Sequence, residues 1–192
     1  MELCKKSNKS IDGFGETIEL EDTYIYPLLK GSDVANGKTG FTDRYVLVTQ
    51  DSIGQSTNTI KQKAPKTWSY LLNHSQYLDN IKSKIYRGKP RFFIFGVGDY
   101  AFMPYKIAIC GLYKKLSFKL IDRLDRRPVF FDDTVYFIGF NCQRTAELYF
   151  NILNNQKTLD FYDSLILWDK KRPIKASILN KLNLEEAKVN LF

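Results

Sequence analysis

The sequence has very few of the residues on which most catalytic and metal sites are built. Its 192 residues include a single histidine, His74, and three cysteines, Cys4, Cys110 and Cys142. An odd number of cysteines without C-x-x-C spacing predicts neither a disulfide framework nor a zinc site, and it fits a reducing compartment. One histidine excludes most His-dependent catalytic or metal arrangements unless His74 alone carries them. We interpret His74 as a surface residue of a helix.

Long apolar runs are also missing. The first residues, MELCKKSNKSIDGFGE, lack the apolar stretch of a signal peptide. No segment approaches the roughly 18 apolar residues that a membrane-spanning helix needs. We therefore expect a cytoplasmic protein that makes no contact with a membrane.

Cofactor-binding motifs are absent as well. The sequence contains no G-x-x-x-x-G-K-[ST] phosphate loop and no G-x-S-x-G turn. The stretch FFIFGVGDYAFMPY, residues 92–105, has the spacing of a glycine-rich cofactor turn, but Pro104 prevents the helix that such a turn must open. We predict that this chain binds no cofactor, and we interpret the stretch as a hairpin with an aromatic rim.

Positive charge is in excess. The chain has 29 lysine and arginine residues against 21 aspartate and glutamate residues, for a formal charge of +8. Such a balance favours polyanionic partners, because binding releases counterions and the field steers association. The central part of the chain is rich in basic residues, namely Lys61, Lys63, Lys66, Lys82, Lys84, Arg87 and Lys89.

The apolar pattern predicts an α+β fold. Residues 1–23 are polar and are predicted to be a flexible N-terminal segment that precedes one domain over residues 24–192. Short strands are predicted in TYIYPLLKGSDV and RYVLVTQ, and a meander of four or five strands is predicted in residues 92–140. The expected sheet is curved and mostly antiparallel, with helices along its flanks.

Helices are predicted from apolar positions that recur at spacings of three, four and seven. The clearest helix covers residues 67–85, and a second covers residues 143–155. A third is predicted in TLDFYDSLILW and a short terminal helix in ASILNKLNL.

The start of the first helix is a candidate phosphate site. The segment IKQKAPKTW places Lys61, Lys63 and Lys66 in the approach to a helix that Pro65 and Thr67 begin. Free backbone N–H groups and the helix dipole attract an anion to such a position. We predict phosphate contacts from these lysines and Thr67.

Two alternatives of other classes stay open. Asp160, Asp169 and Lys171 loosely match the carboxylate and acidic-x-Lys pattern of a small metal-dependent endonuclease. The pair Asp132-Asp133 is interpreted as a hairpin turn and not as a metal pair. The second alternative is a protein-interaction domain whose basic face serves only solubility.

Several stretches together resemble a known family. TYIYPLLKGSDV, residues 60–118, RRPVFFDDTVYFI and WDKKRPIKASILNKL are similar, in order and spacing, to the C-terminal target recognition domain of N6-adenine DNA methyltransferases from type II restriction-modification systems. The resemblance runs over residues 24–184. In that family a preceding catalytic domain carries the S-adenosylmethionine site and an Asn/Asp-Pro-Pro-Tyr/Phe motif. This sequence has neither, and its six prolines are never adjacent.

The resemblance implies a monomeric, non-catalytic module in the bacterial cytoplasm, associated with the nucleoid. Its partners would be double-stranded DNA and a methyltransferase catalytic domain or subunit, alone or fused to a nuclease, and that domain would bind S-adenosylmethionine. Such a module needs phosphate contacts to set register and a few side chains that reach base edges. The predicted DNA-contacting residues are Lys30, Ser32, Lys61, Lys63, Lys66, Thr67, Arg91, Asp99, Tyr100, Tyr105 and Lys106.

Overall fold

The chain folds into two compact units. The structure is a computed structural model that describes residues 1–6, 9–80 and 82–191. Unit 1 comprises Met1–Pro27 and Asp43–Phe102, and unit 2 comprises Leu28–Thr42 and the residues from Met103 onward. These units differ from the segments 1–23 and 24–192 expected from the sequence. Strands and helices together confirm the predicted α+β class, with antiparallel sheets.

Unit 1 contains an antiparallel sheet to which both of its chain segments contribute strands. Its strands are β1 (Glu2–Lys6), β2 (Lys9–Asp12), β3 (Thr17–Ile18), the first half of β4 (Ile25–Leu29) and β5 (Arg44–Leu47), and they pair in the order β3-β2-β1-β5-β4. The central strand β1 pairs through Leu3 with Asp12 of β2 and with Tyr45 of β5. The prediction of a loose segment over residues 1–23 was therefore wrong. Backbone pairing with β5, which polar composition does not reveal, orders these residues.

Unit 1 also contains short helices. The α-helices are α2 (Ile60–Lys63), α3 (Pro65–Asn73) and α4 (Ser75–Leu78), and 3-10 turns occur at Asp22–Tyr24, Thr57–Thr59, Lys84–Tyr86 and Asp99–Phe102. The predicted long helix begins where expected, with Pro65 in its first turn, but it ends at Asn73 because His74 leaves helical geometry at φ −100° and ψ 10°. Ile81 of the predicted helix lies outside the described residues.

The stretch from Phe92 to Tyr105 does not form the predicted hairpin. Its first half is a series of turns in which Phe92 adopts a positive φ of 62°, and a single 3-10 turn precedes Pro104. Its first two aromatic residues, Phe92 and Phe93, are buried in the protein instead. Phe92 is buried and packs edge-on against Trp68 at 5.6 Å between ring centroids. The core of unit 1 comprises Leu3, Tyr24, Ile25, Tyr45, Leu47, Ile60, Ala64, Tyr70, Leu71 and Phe92.

Unit 2 has a three-stranded antiparallel sheet in the order β7-β6-β9. The strands are β6 (Tyr105–Cys110), β7 (Lys119–Ile121) and β9 (Val135–Phe140), and a short β8 (Phe130–Phe131) pairs in parallel with Leu28 and Leu29 of β4. The later part of the predicted meander is therefore confirmed as strands, although β8 lies outside this sheet.

The helices of unit 2 are α1 (Gly31–Ala35), α5 (Gln143–Leu153), α6 (Gln156–Leu165), α7 (Ala176–Leu179) and α8 (Leu184–Leu191). The predicted helices at α5, α6 and α7 are confirmed, and α8 was not predicted. Helix α5 buries Ala146, Tyr149, Ile152 and Leu153, the spacing of one helical face. Throughout the described ranges, no helix combines the length and apolarity that crossing a bilayer would take.

Gly31 is a tight packing position in unit 2. A Cβ at this residue would collide with the side chains of Thr134 and Cys110. Gly31→Ala is therefore expected to lower the free energy of unfolding by about 1–3 kcal/mol, the usual cost of overpacking. Urea unfolding in a Trp68→Phe background would report on unit 2, because Trp168 is the other of the two tryptophans. Gly40→Ala is the control, since a Cβ there has no atom within 4 Å. Equal stability of the two variants would contradict the packing argument.

Candidate nucleic-acid interface

The N-terminus of helix α3 holds a carboxylate of the protein itself. Glu21 Oε1 accepts a hydrogen bond from the backbone N–H of Lys66 at 2.8 Å, and Oε2 accepts from the backbone N–H and the hydroxyl of Thr67 at 2.8 and 2.7 Å. Burial alone would raise the pKa of Glu21, but these hydrogen bonds lower it below its ordinary value. Glu21 is therefore an anionic cap of α3.

The capping of α3 by Glu21 contradicts the predicted phosphate site at the start of this helix. The position that an incoming phosphate would take is filled by Glu21, and Thr67 is buried with its hydroxyl engaged. The ammonium of Lys66 pairs with Glu19 at 2.5 Å. Lys61 and Lys63 are exposed at the end of α2, so their DNA contact stays a prediction.

A basic cleft is lined in part by Leu71 of helix α3. It has a volume of about 680 Å³, its floor includes Leu71, Phe92 and Phe93, and its rim carries Lys82, Arg87, Lys89, Arg91 and a single carboxylate from Asp79. We call this region, all within unit 1, the basic cleft. Exposed lysine and arginine side chains gathered in one cleft are the groups that contact nucleic-acid phosphates.

The charges in the basic cleft are unequally paired. Arg91 binds Asp79 in a fork, with Nε 3.1 Å from Oδ1 and Nη2 2.6 Å from Oδ2, and this bond lowers the pKa of Asp79. Arg91 also lies 4.6 Å from the centroid of the Phe92 ring. Within the part of the chain that the structure describes, Lys82, Arg87 and Lys89 have no carboxylate at ion-pair distance. The positive charge of the basic cleft that no carboxylate neutralises therefore lies on these three residues.

Buried polar residues hold the loop next to the cleft. Gln50 is 1% exposed, donates to the carbonyls of Ile94 at 3.1 Å and Val97 at 3.2 Å, and accepts from the N–H of Ile94 at 2.9 Å. Thr49 and Thr57 donate to the carbonyls of Phe92 and Arg91 at 2.7 and 2.6 Å. None of these three residues is among the residues predicted from the sequence. A sequence signal exists for two of them, since Thr49 and Gln50 come one residue after the end of strand β5, where polar groups are in reach of a neighbouring loop.

The loop that Gln50 and the two threonines hold in place presents aromatic and acidic side chains to solvent. Tyr100 is exposed, and its hydroxyl donates to the carbonyl of Gly96 at 2.8 Å. Asp99 is exposed beside it. Phe95 was not among the predicted site residues, yet it is 60% exposed. An aromatic ring on a braced loop can stack on a base or wedge between bases.

The remaining predicted residues lie in unit 2. Lys30 precedes helix α1, where its N–H donates to Asp33 Oδ2 at 2.8 Å, and Ser32 is exposed in the first turn. Tyr105 is half-buried, and the guanidinium of Arg123 lies 5.8 Å from its ring centroid. The predicted set therefore divides between the two units, with Lys61, Lys63, Lys66, Thr67, Arg91, Asp99 and Tyr100 in unit 1.

Lys106 was wrongly assigned to a DNA-contacting surface. It is 1% exposed on strand β6, and its Nζ donates to the carbonyl of Val129 at 2.7 Å, with ring centroids of Phe130 and Phe137 at 5.5 and 5.6 Å. Burial lowers the pKa of Lys106 to about 7. A side chain enclosed in this way cannot reach a base edge.

The prediction for His74 was also wrong, since this residue is buried. Asp132 lies at a turn, as predicted, and its Oδ1 accepts from the N–H and hydroxyl of Thr134. The turn is not that of a hairpin, because the strands on either side of it, β8 and β9, belong to different sheets. The endonuclease alternative has no assembled site among the described residues. Asp160 accepts from Gln156 at 2.7 Å and Asp169 pairs with Lys170 at 3.4 Å, and neither joins a cluster of metal-ligating side chains there.

The chain is similar to part of a known methyltransferase. It is 56% identical over 185 residues to the type II methyltransferase M.NspV of Nostoc sp. (strain ATCC 29411 / PCC 7524). The alignment covers 96% of this chain but 38% of the relative, so the chain spans well under half of that protein's length. A scan against models of protein families finds no match.

The burial of Lys106 predicts how the stability of the chain depends on pH. Its pKa is about 7 in the folded chain against an ordinary 10.5, so between these values the unfolded chain binds a proton that the folded chain does not. Stability should therefore rise as pH increases from about 7 towards about 10. Lys106→Met should flatten this rise, measured by urea unfolding in the Trp68→Phe background with Trp168 as the reporter.

Lys119→Met is the matched control, because Lys119 is a half-buried lysine on the neighbouring strand β7. It should keep the rise with pH. If both variants keep the slope of the unmodified chain, Lys106 remains charged when folded and the argument fails.

Proposed function

We propose that this chain is the DNA target recognition module of a restriction-modification adenine methyltransferase. The observation that carries the proposal is the similarity of nearly the whole chain to a minor part of a type II methyltransferase. The sequence contains no glycine-rich cofactor turn leading into a helix and no adjacent prolines, so the shared part lacks the motifs of methyl transfer. Recognition of the DNA substrate is the task that fits such a part.

The basic cleft supports a role in binding the DNA backbone. Lys82, Arg87 and Lys89 are exposed and stand above buried aromatic rings, with Lys89 Nζ 5.7 Å from the centroid of the Phe93 ring. Phosphate contacts of this kind supply affinity and orientation, and they carry no sequence information.

The loop beside the cleft supplies candidates for reading the sequence. Asp99 can accept a hydrogen bond from cytosine N4, and Tyr100 and Phe95 offer ring faces. Three hydrogen bonds to the buried residue Gln50 hold this loop in place, which reduces the conformational entropy that ordering the loop on DNA would cost.

S-adenosylmethionine would bind a catalytic domain or subunit that partners this chain, and the chain itself would bind no cofactor. We expect the module to be a monomer in the bacterial cytoplasm. We also expect modest affinity for DNA from the isolated chain, because the complete enzyme would contact the duplex from two sides.

The proposal predicts salt-sensitive binding of duplex DNA. In fluorescence anisotropy titrations across salt concentrations, the slope of log K against log[salt] should be about −4 to −7 if roughly 4 to 8 phosphates are engaged. Affinity that does not change with salt, or no binding to any duplex, would contradict the proposal.

Charge variants test whether the basic cleft is the contact surface. Replacing Lys82, Arg87 and Lys89 together with Gln should make the salt slope shallower by about 3 units, since each phosphate contact contributes about 1. The matched control replaces Lys157, Lys175 and Lys181, which are exposed residues of unit 2, and removes the same charge. The control should keep the original slope. Equal loss in both triple variants would mean that net charge alone attracts the DNA.

A further inference from the structure

Three metal-ligating side chains meet at the end of helix α3 in unit 1. Asp12 ends strand β2, Glu16 precedes strand β3, and His74 follows the last residue of α3. One ligand atom from each residue lies within 4.8 Å of the other two. Among the described residues, this is the one such group of three or more, and the proposed DNA function does not use it.

The orientation of the His74 ring directs a nitrogen at both carboxylates. Nδ1 lies 2.9 Å from the carbonyl oxygen of Tyr70, which can only accept, so Nδ1 carries the proton. In the neutral ring, Nε2 is then the atom with the lone pair. It lies 3.6 Å from Glu16 Oε2 and 3.8 Å from Asp12 Oδ2.

This arrangement is unfavourable without a cation. The His74 side chain is 10% exposed, and within the described ranges its Nε2 has no partner at hydrogen-bond distance. In the neutral ring, a lone pair would face two negative oxygens in a poorly solvated place. A hydrogen-bonded imidazolium would draw a carboxylate to about 2.7–2.9 Å. The observed distances from Nε2 to the two carboxylates, 3.6 and 3.8 Å, are longer. They are closer to about 3.3 Å, the separation of two ligand atoms that each lie about 2.0 Å from one tetrahedral metal ion.

Asp12 is fixed as a ligand by its own hydrogen bonds. Its side chain is fully buried, Oδ1 accepts from the N–H groups of Phe14 and Glu16 at 2.9 Å each, and Oδ2 accepts from the Tyr70 hydroxyl at 2.7 Å. Hydrogen bonds from neighbouring protein groups orient the ligand side chains of metal sites in this way.

The cluster is reachable from solvent. Glu16 has a side chain that is 62% exposed, and Glu16 and His74 both line a cleft of about 650 Å³. The Phe14 ring stacks on His74 at 5.3 Å and covers the imidazole from one side. An ion can thus enter past Glu16 and reach a partly enclosed place.

We propose that Asp12, Glu16 and His74 bind one divalent transition-metal ion of the zinc type, with water completing the coordination. One imidazole and two carboxylates form a ligand set suited to such ions. The ion would join the turn between β2 and β3 to the end of α3 and so stabilise unit 1. This role is independent of DNA recognition.

Calorimetric titration with Zn²⁺ tests the site on the full chain at about pH 8, above the reference histidine pKa of about 6.5. The background is Cys142→Ser, because Cys142 is an exposed thiol whose pKa is lowered by hydrogen bonds with Thr145, and its thiolate would also bind zinc. We expect one equivalent of bound Zn²⁺, a rise in the unfolding temperature on binding, and reversal of that rise by a chelator.

Glu16→Gln and Glu19→Gln form the decisive pair, because both residues are exposed and line the same cleft. Glu16→Gln should weaken Zn²⁺ binding by at least about tenfold. Glu19→Gln should leave it unchanged, since Glu19 pairs with Lys66 and lies outside the cluster. His74→Gln should abolish binding. The proposal is overturned if no saturable binding occurs at this pH, or if the two glutamate variants bind equally.

Discussion

The capping of helix α3 by Glu21 determines which surfaces of unit 1 are available to a ligand. One carboxylate satisfies two backbone N–H groups and a hydroxyl at the start of the helix, across a sequence separation of 45 and 46 residues. This contact ties the segment after β3 to α3 and removes the anion site that the local sequence predicts. Positive charge remains available in the basic cleft, which Leu71 of the same helix lines.

The same helix organises most of unit 1. Tyr70 and Leu71 contribute to its core, and Tyr70 also binds Asp12 across 58 residues of sequence. The end of α3 carries His74, whose ring orientation is set by the Tyr70 carbonyl. One short helix thus positions a capped N-terminus, one wall of the cleft and the Asp12–Glu16–His74 cluster.

Local patterns predicted those parts of the fold whose causes are local. Pro65 fixed the start of α3, and the helical spacing in residues 143–155 identified α5. Strands β1 to β3 were missed because pairing with a distant strand orders them. Lys106 was misplaced because β6 is buried on both faces, so the alternation between core and solvent that places a lysine outward does not hold there. Glu21, Gln50 and Asp12 act through contacts with residues far along the chain, which a single sequence does not reveal.

The central claim is that the chain reads the sequence of duplex DNA, beyond attraction to its charge. Selection from a pool of randomised duplexes, followed by sequencing of the bound fraction, tests this claim most directly. We predict enrichment of one short motif, and loss of that enrichment when Asp99 and Tyr100 are replaced with Ala while non-specific binding persists. Binding of the pool without enrichment of any motif would contradict the account.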